Sequence, residues 1–259
     1  MTNLPRFHCP SALHPGHEFD LPAGTARHVQ VRRLQPNDAI TLFNGEGGEF
    51  KALILRMGRS DVAVRVLEKM DVSRELSLRV NLWCGITANE RMDWLVEKAT
   101  ELGAFSLLPI SAERSVLKLK GERADKKLAH WQAIAVASSE QCGRNRVLQV
   151  ASALTLSQAL AAEKAEKVEK VESEAIKLRW VLSLSSGTQN LKDALKAFHP
   201  DAAGSPLEIT LLSGPEGGLS PAEEAQALAA GFVPVSLGDR VLRAETAPVA
   251  VLSILGALT

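Results

Sequence analysis

Past residue 76 the hydrophobic pattern of this chain changes from strands alone to strands alternating with helices, and that alternation limits what it can fold into. "LSLRVNLWCGI" (76–86) reads as a strand and "NERMDWLVEKATELG" (89–103) as a helix, opened by an Asn suited to N-capping and stopped at Gly103. "FSLLPI", "RWVLSL", "EITLLSG" and "FVPVSLG" follow as strands. Between and after them lie helical stretches: "RADKKLAHWQAIAVASSEQCG", "NLKDALKAFH", "SPAEEAQALAAG" and a last one from about Glu245. Strands that take turns with helices predict a parallel sheet covered on both faces. The first 72 residues read differently. "AITLF" (39–43), "EFKALIL" (49–55) and "DVAVRVLEKM" (61–70) are strands joined by "NGEGG" and "RMGRS", both good turn chemistry. "TARHVQVRRLQPNDAI" ahead of them predicts a short helix and a turn. A meander closed into a small barrel with N-terminal strands is expected there. The polar "MDVSREL" marks the boundary, giving domains over 1–72 and 76–259.

Thirty Lys/Arg balance thirty Asp/Glu, so no whole-protein field draws the chain to nucleic acid. The charge is segregated, however. Residues 111–150 hold eight basic against four acidic side chains, and residues 200–259 two against seven. Cys9, Cys84 and Cys142 are far apart and lack CxxC spacing, which argues against a disulfide framework or zinc site and for a reducing cytosol. No signal pattern opens the chain and no uncharged apolar run approaches ~18 residues, so a soluble cytoplasmic protein is expected. His8, His14, His17 and His28 cluster in sequence without acidic or Cys partners at ligand spacing, and no metal is expected. "AAEKAEKVEKVESEA" (161–175) reads as a solvated helix or insertion.

"LLSGPEGGLS" (211–220) carries the chemistry. A strand runs into Ser213-Gly214-Pro215-Glu216-Gly217-Gly218, and a helix follows. Ser220, Pro221 and Glu223 make a capping box, so that helix satisfies its own first amides and offers few to an anion. Glu216 would repel an anion as well, and no P-loop lysine is present. The loop suits a neutral or cationic ligand that needs bare backbone. A second such stretch follows in "LGDRVLRAETAPVAVLSILGAL" (237–258), with Arg240 and Arg243 beside a glycine turn. Two such loops at neighbouring strand ends are where open α/β sheets bind ligands. A dinucleotide oxidoreductase would need GxGxxG after the first strand of this part, where "LWCGITANERMD" offers only Gly85.

With "RFH", "HVQVRRLQPNDAITLFNGEGGEF", "EKATELG", "ERS", "SSEQCGRNRV", "LLSGPEGGLSPAEE" and "SLGDRVLRAETA" in order along nearly the whole chain, the sequence resembles the bacterial small-subunit ribosomal RNA uracil-N3 methyltransferases of the RsmE type, in the SPOUT class. The resemblance implies an α/β protein with an N-terminal PUA-like RNA-binding β-barrel and a C-terminal SPOUT domain tied in a trefoil knot. It implies S-adenosylmethionine as methyl donor, ribosomal RNA of the small subunit as substrate, and a homodimer with active sites near the subunit interface. Cofactor contacts are then expected from Leu212, Ser213, Gly214, Pro215, Glu216, Gly217 and Gly218, and from Leu237, Gly238, Arg240, Val241, Leu242 and Arg243. The acceptor imide must lose a proton, which Glu216 or Glu245 would take. Arginine suits the charge left on its carbonyls, with Arg243 and Arg114 as candidates. Arg6, Arg27, Arg32, Arg33, Arg144 and Arg146 would grip RNA. Two alternatives within reach are a related RNA methyltransferase acting on another base or a ribose hydroxyl, and a non-catalytic RNA-binding protein.

Overall fold

A computed structural model describes residues 4–169, 176–197 and 207–258, and the chain forms two compact units, residues 1–75 with 136–147 and residues 76–135 with 148–259. The first unit holds β1 (Arg6–His8), β2 (Glu18–Asp20), α1 (Ala23–Val31), β3 (Ala39–Phe43), β4 (Glu49–Met57) and β5 (Val62–Met70). Its small barrel-like sheet has the order β1-β3-β4-β5-β2, with β1 parallel to β3 and the other pairs antiparallel. Alternation along β4 and β5 turns Phe50, Ala52, Ile54, Val62, Val64 and Val66 inward against Phe7, Ile40 and Leu42. Ala26 and Val29 of α1 join that core. Register shifts between Lys51 and Ala52 and between Ile54 and Arg56 bend the β4–β5 ribbon.

The second unit runs β6 (Arg79–Gly85), α2 (Asn89–Glu101), β7 (Ser106–Ile110), α3 (Gly121–Cys142), β8 (Gln149–Val150), α4 (Leu156–Glu169), β9 (Ile176–Leu182), β10 (Gln189–Asn190), α5 (Leu191–Ala194), β11 (Leu207–Ser213), α6 (Pro221–Ala229), β12 (Val233–Ser236) and α7 (Thr246–Ala257). The last turns of α3, from Val136, group with the first unit. The sheet order is β10-β12-β9-β11-β6-β7-β8, neighbouring strands pair in parallel, and β11 lies hydrogen-bonded between β6 and β9. Strands buried on both faces need continuous apolar runs, and in β11 Ile209, Leu211 and Leu212 are all fully buried. Residues 161–169 of the charged run end α4, and its remainder, 170–175, lies outside the described residues. The helix expected over 190–199 is α5 plus a 3-10 turn to Ala197, with 198–199 outside the described residues.

Residues 136–147 enter the first unit through charge. Glu49, at the start of β4, accepts from both Arg6 and Arg74, and Arg6 also donates to Asn145 Oδ1 at 2.6 Å. Arg74 reaches the Gly143 carbonyl at 3.0 Å, and Asn145 donates to the Val72 carbonyl at 2.8 Å. Arg144, 4 % exposed, grips Glu75 through two of its nitrogens. Burial alone would raise the Glu49 carboxyl, but hydrogen bonds and charge from Arg74 and Arg6 outweigh it and hold it below the ordinary carboxylate value. A depressed folded value means the stabilisation is complete above the unfolded glutamate value of about 4.3 and is lost as pH falls through the folded one. Removing one partner of such a buried pair costs about 3 kcal/mol. Glu49→Ala is therefore expected to unfold about 3 kcal/mol more readily at pH 7, in denaturant titrations, with the gap to wild type closing below about pH 4. A gap unchanged between those pH values would refute the role given to Glu49.

Candidate active site

β9, β11 and β12 end at one edge of the second unit's sheet, and a cavity of about 620 Å³ opens there. Its floor is the glycine loop, residues 213–219, and its other walls include residues 240–242 with Ala244 and Ala247. The two loops that sequence places at neighbouring strand ends are not neighbours, because β9 lies between β11 and β12. The turn after β9 therefore supplies a third wall, Leu182, Ser183, Leu184 and Ser185. Glu224 of α6 also lines the cavity and accepts from the hydroxyls of Ser183 and Ser185, which ties this wall to the next. Sequence reasoning missed both; "LSLSS" directly after an apolar strand was the available signal.

Close backbone contact shapes the glycine loop. A Cβ on Gly85, at the end of β6, would lie 2.2 Å from the Pro215 nitrogen, and one on Gly214 would lie 2.7 Å from the Leu219 nitrogen. Gly218 sits at φ +71°, a left-handed conformation that favours glycine. Arg114 braces the loop, donating to the carbonyls of Gly217 (3.1 Å) and Leu219 (3.3 Å). The capping box forms as the sequence indicates: the Glu223 amide donates to Ser220 Oγ, and Glu223 accepts from the Ser220 amide at 2.9 Å. Glu223 also accepts from the Glu113 amide at 3.0 Å, so one carboxylate fixes both α6 and the backbone beside Arg114.

Glu216 replaces the capping role expected of Asn89. The cap position of α2 is Ala88, whose amide donates to Glu216 Oε1 at 3.0 Å, while Arg91 NH1 reaches the same oxygen at 3.2 Å. A carboxylate from a distant loop thus occupies the helix N-terminus, where negative charge is favoured. Burial would raise the Glu216 carboxyl, yet the amides of Ala88 and of Glu216 itself, with the charge of Arg91, hold it below its ordinary value. Arg91 also lies 3.9 Å from Glu245 Oε1, and Glu245 Oε2 is buried with no hydrogen-bond partner among the described residues. Among the described residues no group of three or more His, Cys, Asp or Glu is placed to hold a metal ion.

Two family profiles match this chain: an RNA methyltransferase domain over residues 74–256 and an RNA methyltransferase PUA domain over residues 21–67. The ribosomal RNA small subunit methyltransferase E of Bacillus subtilis is 32 % identical over 225 residues, which is 87 % of this chain and 84 % of that protein. The chain belongs to the ribosomal RNA small subunit methyltransferase E family. The family's Neisseria gonorrhoeae member, solved bound to S-adenosyl methionine, superposes with a TM-score of 0.81 at 34 % identity over 98 % of both chains. A Legionella pneumophila protein solved with its bound cofactor SAM gives a TM-score of 0.84 at 32 % identity, again over 98 % of both.

Of the residues that the family resemblance singles out, Ser213, Gly214, Pro215, Glu216, Gly217 and Gly218 line the cavity, as do Leu237, Arg240, Val241, Leu242 and Arg114. Leu212 instead packs in the core beside Trp83 and Val181. Gly238 (φ +94°) and the exposed Arg243 lie in the same loop but outside the lining, and Glu245 is buried ahead of α7. In the first unit Arg27, Arg32, Arg33 and Arg146 are exposed. Arg6 and Arg144 are buried in the ion pairs described above, which removes their guanidinium groups from the surface where a phosphate contact was expected. Among the described residues no helix is long and apolar enough to cross a membrane.

Loss of Arg114 frees two loop carbonyls without touching the sheet. In Arg114→Ala, amide exchange across residues 214–219 is expected to quicken at least about tenfold, the effect of about 1.4 kcal/mol, while β9 and β11 keep their protection. Equal exchange in both proteins would show that Arg114 does not hold the loop.

Proposed function

We propose that the protein transfers a methyl group from S-adenosylmethionine to N3 of a uridine in 16S ribosomal RNA of the small subunit. The observation that carries this reading is the cavity of bare glycine backbone at the ends of β9, β11 and β12, in a chain of this family. S-adenosylmethionine supplies a methyl carbon made electrophilic by a positive sulfonium. The residues present suit it. The cavity has no P-loop lysine, its lining includes the carboxylates Glu216 and Glu224, and apolar walls come from Leu184, Val235 and Leu237. The loop is close-packed at its glycines, since a Cβ on Gly214 would lie 2.7 Å from the Leu219 nitrogen and one on Gly217 3.0 Å from the Arg114 Cβ.

Displacement at carbon needs nucleophile, methyl and leaving group in line, so positioning is the main task of the walls. The imide proton must leave, and the two flanking carbonyl oxygens take up negative charge. We assign Arg243, exposed beside the cavity, to those oxygens, since its planar fork stays protonated. Glu216 and Glu245 are the candidate bases for the imide proton. Arg114 lines the cavity with the guanidinium that holds the loop. In this division residues 1–72 bind RNA, with exposed Arg27, Arg32 and Arg33 on phosphates together with exposed Arg146 of the same compact unit, and residues 76–259 carry catalysis. A C-terminal trefoil knot of the SPOUT class is part of this reading. A homodimer in the cytoplasm completes the reading. α7 is largely apolar, yet Ile254 is 39 % exposed and Leu258 just past its end 49 %, and Trp94 of the neighbouring α2 is 39 % exposed. A helix of that kind is stable when covered.

Calorimetric titration with S-adenosylmethionine, and with NADH in parallel, tests the cofactor. Micromolar binding of the first alone, weakened at least about tenfold by Gly217→Val, is expected, a loss of about 1.4 kcal/mol. Arg243→Ala should keep that affinity and lose turnover on small subunits by about 100-fold or more. Near-wild-type turnover would remove Arg243 from the mechanism. Ile254→Asp should shift the protein to a monomer in light scattering, and an unshifted mass would place the subunit contact elsewhere.

A further inference from the structure

We infer that Glu245 takes the proton from the acceptor nitrogen and that Arg91 is the positioning residue that aims it, an assignment that rests on the uridine-N3 reading above. Three carboxylates stand at or near the cavity; Glu224 already accepts from the hydroxyls of Ser183 and Ser185, and the structure distinguishes the other two. Oε1 of Glu216 is engaged by the Ala88 amide and by Arg91, and the group is held below its ordinary carboxylate value. Such an oxygen is a weak acceptor, and moving it would uncap α2. Glu245 is the contrary case. Its side chain is 10 % exposed, Arg91 stands 3.9 Å from Oε1, and Oε2 is buried without a hydrogen-bond partner among the described residues.

A buried carboxylate oxygen with nothing to accept is costly, and such an atom calls for an explanation. Position supplies one. Ala244 and Ala247, one residue before and two after Glu245, both line the cavity, so Glu245 belongs to the chain segment that forms its wall and is buried behind it. Arg91 is shared between Glu245 and Glu216, and Glu216 is itself part of the lining. One guanidinium on α2 thereby links the floor of the cavity to the wall segment that bears the base.

The elements packed against α7 are α2, β6 and β11. From α2 the charge facing Glu245 is Arg91; the loop after β11 brings Glu216 onto that same cation. At the matching ends of β6 and β11 the Cys84 thiol faces Ser213, and burial pushes that thiol up to about 12, so it adds no charge near neutrality.

In the step so assigned, the N3–H proton moves to Glu245 Oε2. The nitrogen electron pair forms the new carbon–nitrogen bond, and the pair of the breaking carbon–sulfur bond stays on sulfur, which becomes neutral. Methyl transfer needs no further reactant, and the proton passes from Glu245 to solvent after release.

The test uses the full-length protein, S-adenosylmethionine and small ribosomal subunits lacking the modification, with N3-methyluridine counted by mass spectrometry across a pH series. Glu245→Gln keeps shape and loses the base. At pH 7 its single-turnover rate is expected to fall by about 100-fold or more, with cofactor affinity unchanged within about twofold. Its rate should then climb about tenfold per pH unit on the alkaline side, because only imide already ionised by solvent can react. Wild type should rise less steeply. Arg91→Ala should lower the maximal rate about tenfold with KM for the subunit nearly unchanged, and Arg91→Lys should restore most of it. A Glu245→Gln enzyme as fast as wild type, or slowed equally at every pH, overturns the assignment of the base. Should that variant not fold, Arg91→Ala decides: a rise in KM alone, or no recovery with lysine, overturns the assignment. If wild type itself makes no N3-methyluridine, the reading beneath falls and takes this assignment with it.

Discussion

The site depends on β11 being hydrogen-bonded along both edges. Its partners β6 and β9 fix it in register from Leu207 through Ser213, so the chain leaves the sheet at a defined point and in a defined direction. Only from such an anchor can the next five residues follow a path that admits no side chain at Gly214 and crosses within contact of Gly85. The same strand order sets β9 between β11 and β12, which is why three turns meet where two would otherwise stand apart. Conformational order in the loop is thus inherited from the sheet, and the entropy of ordering it is largely met before a ligand arrives.

Much of this was legible in the sequence. The strand 39–43 appears with the expected ends, and Ser220 with Glu223 forms the expected box, because both depend on neighbours within a few residues. The α/β alternation after residue 76 was equally plain, since the period of apolar residues reports local structure directly. The cap of α2 was misread for a physical reason. Asn89 is a good capping residue by propensity, but Glu216, 128 residues from Ala88, supplies a charged acceptor to the Ala88 amide, and a charged hydrogen bond outranks a local preference. Glu224 and the wall after β9 were invisible because their proximity is a product of strand order.

The arginines teach the same lesson about charge. "RFH" and "GRNRV" look alike in polarity, yet Arg6 and Arg144 are consumed by Glu49 and Glu75 while Arg146, two residues from Arg144, stays exposed. Whether an arginine serves phosphate or framework depends on a carboxylate elsewhere in the chain. Composition balances the two signs overall without saying which pairs are closed.

The first unit is discontinuous, and that has a consequence for how the chain comes off the ribosome. Arg6 meets Asn145 across 139 positions, and Glu49 reaches Gly143 only through Arg74. The barrel-like sheet can pair as soon as its own strands have emerged, but its charged seam stays open until more than half of the polypeptide has been synthesised. During that interval Glu49, Arg6 and Arg74 have one another but lack the segment that completes their shell. At roughly 5–20 residues per second this is a wait of several seconds. The amino-terminal unit of this chain, though it begins first, finishes its folding in company with the second.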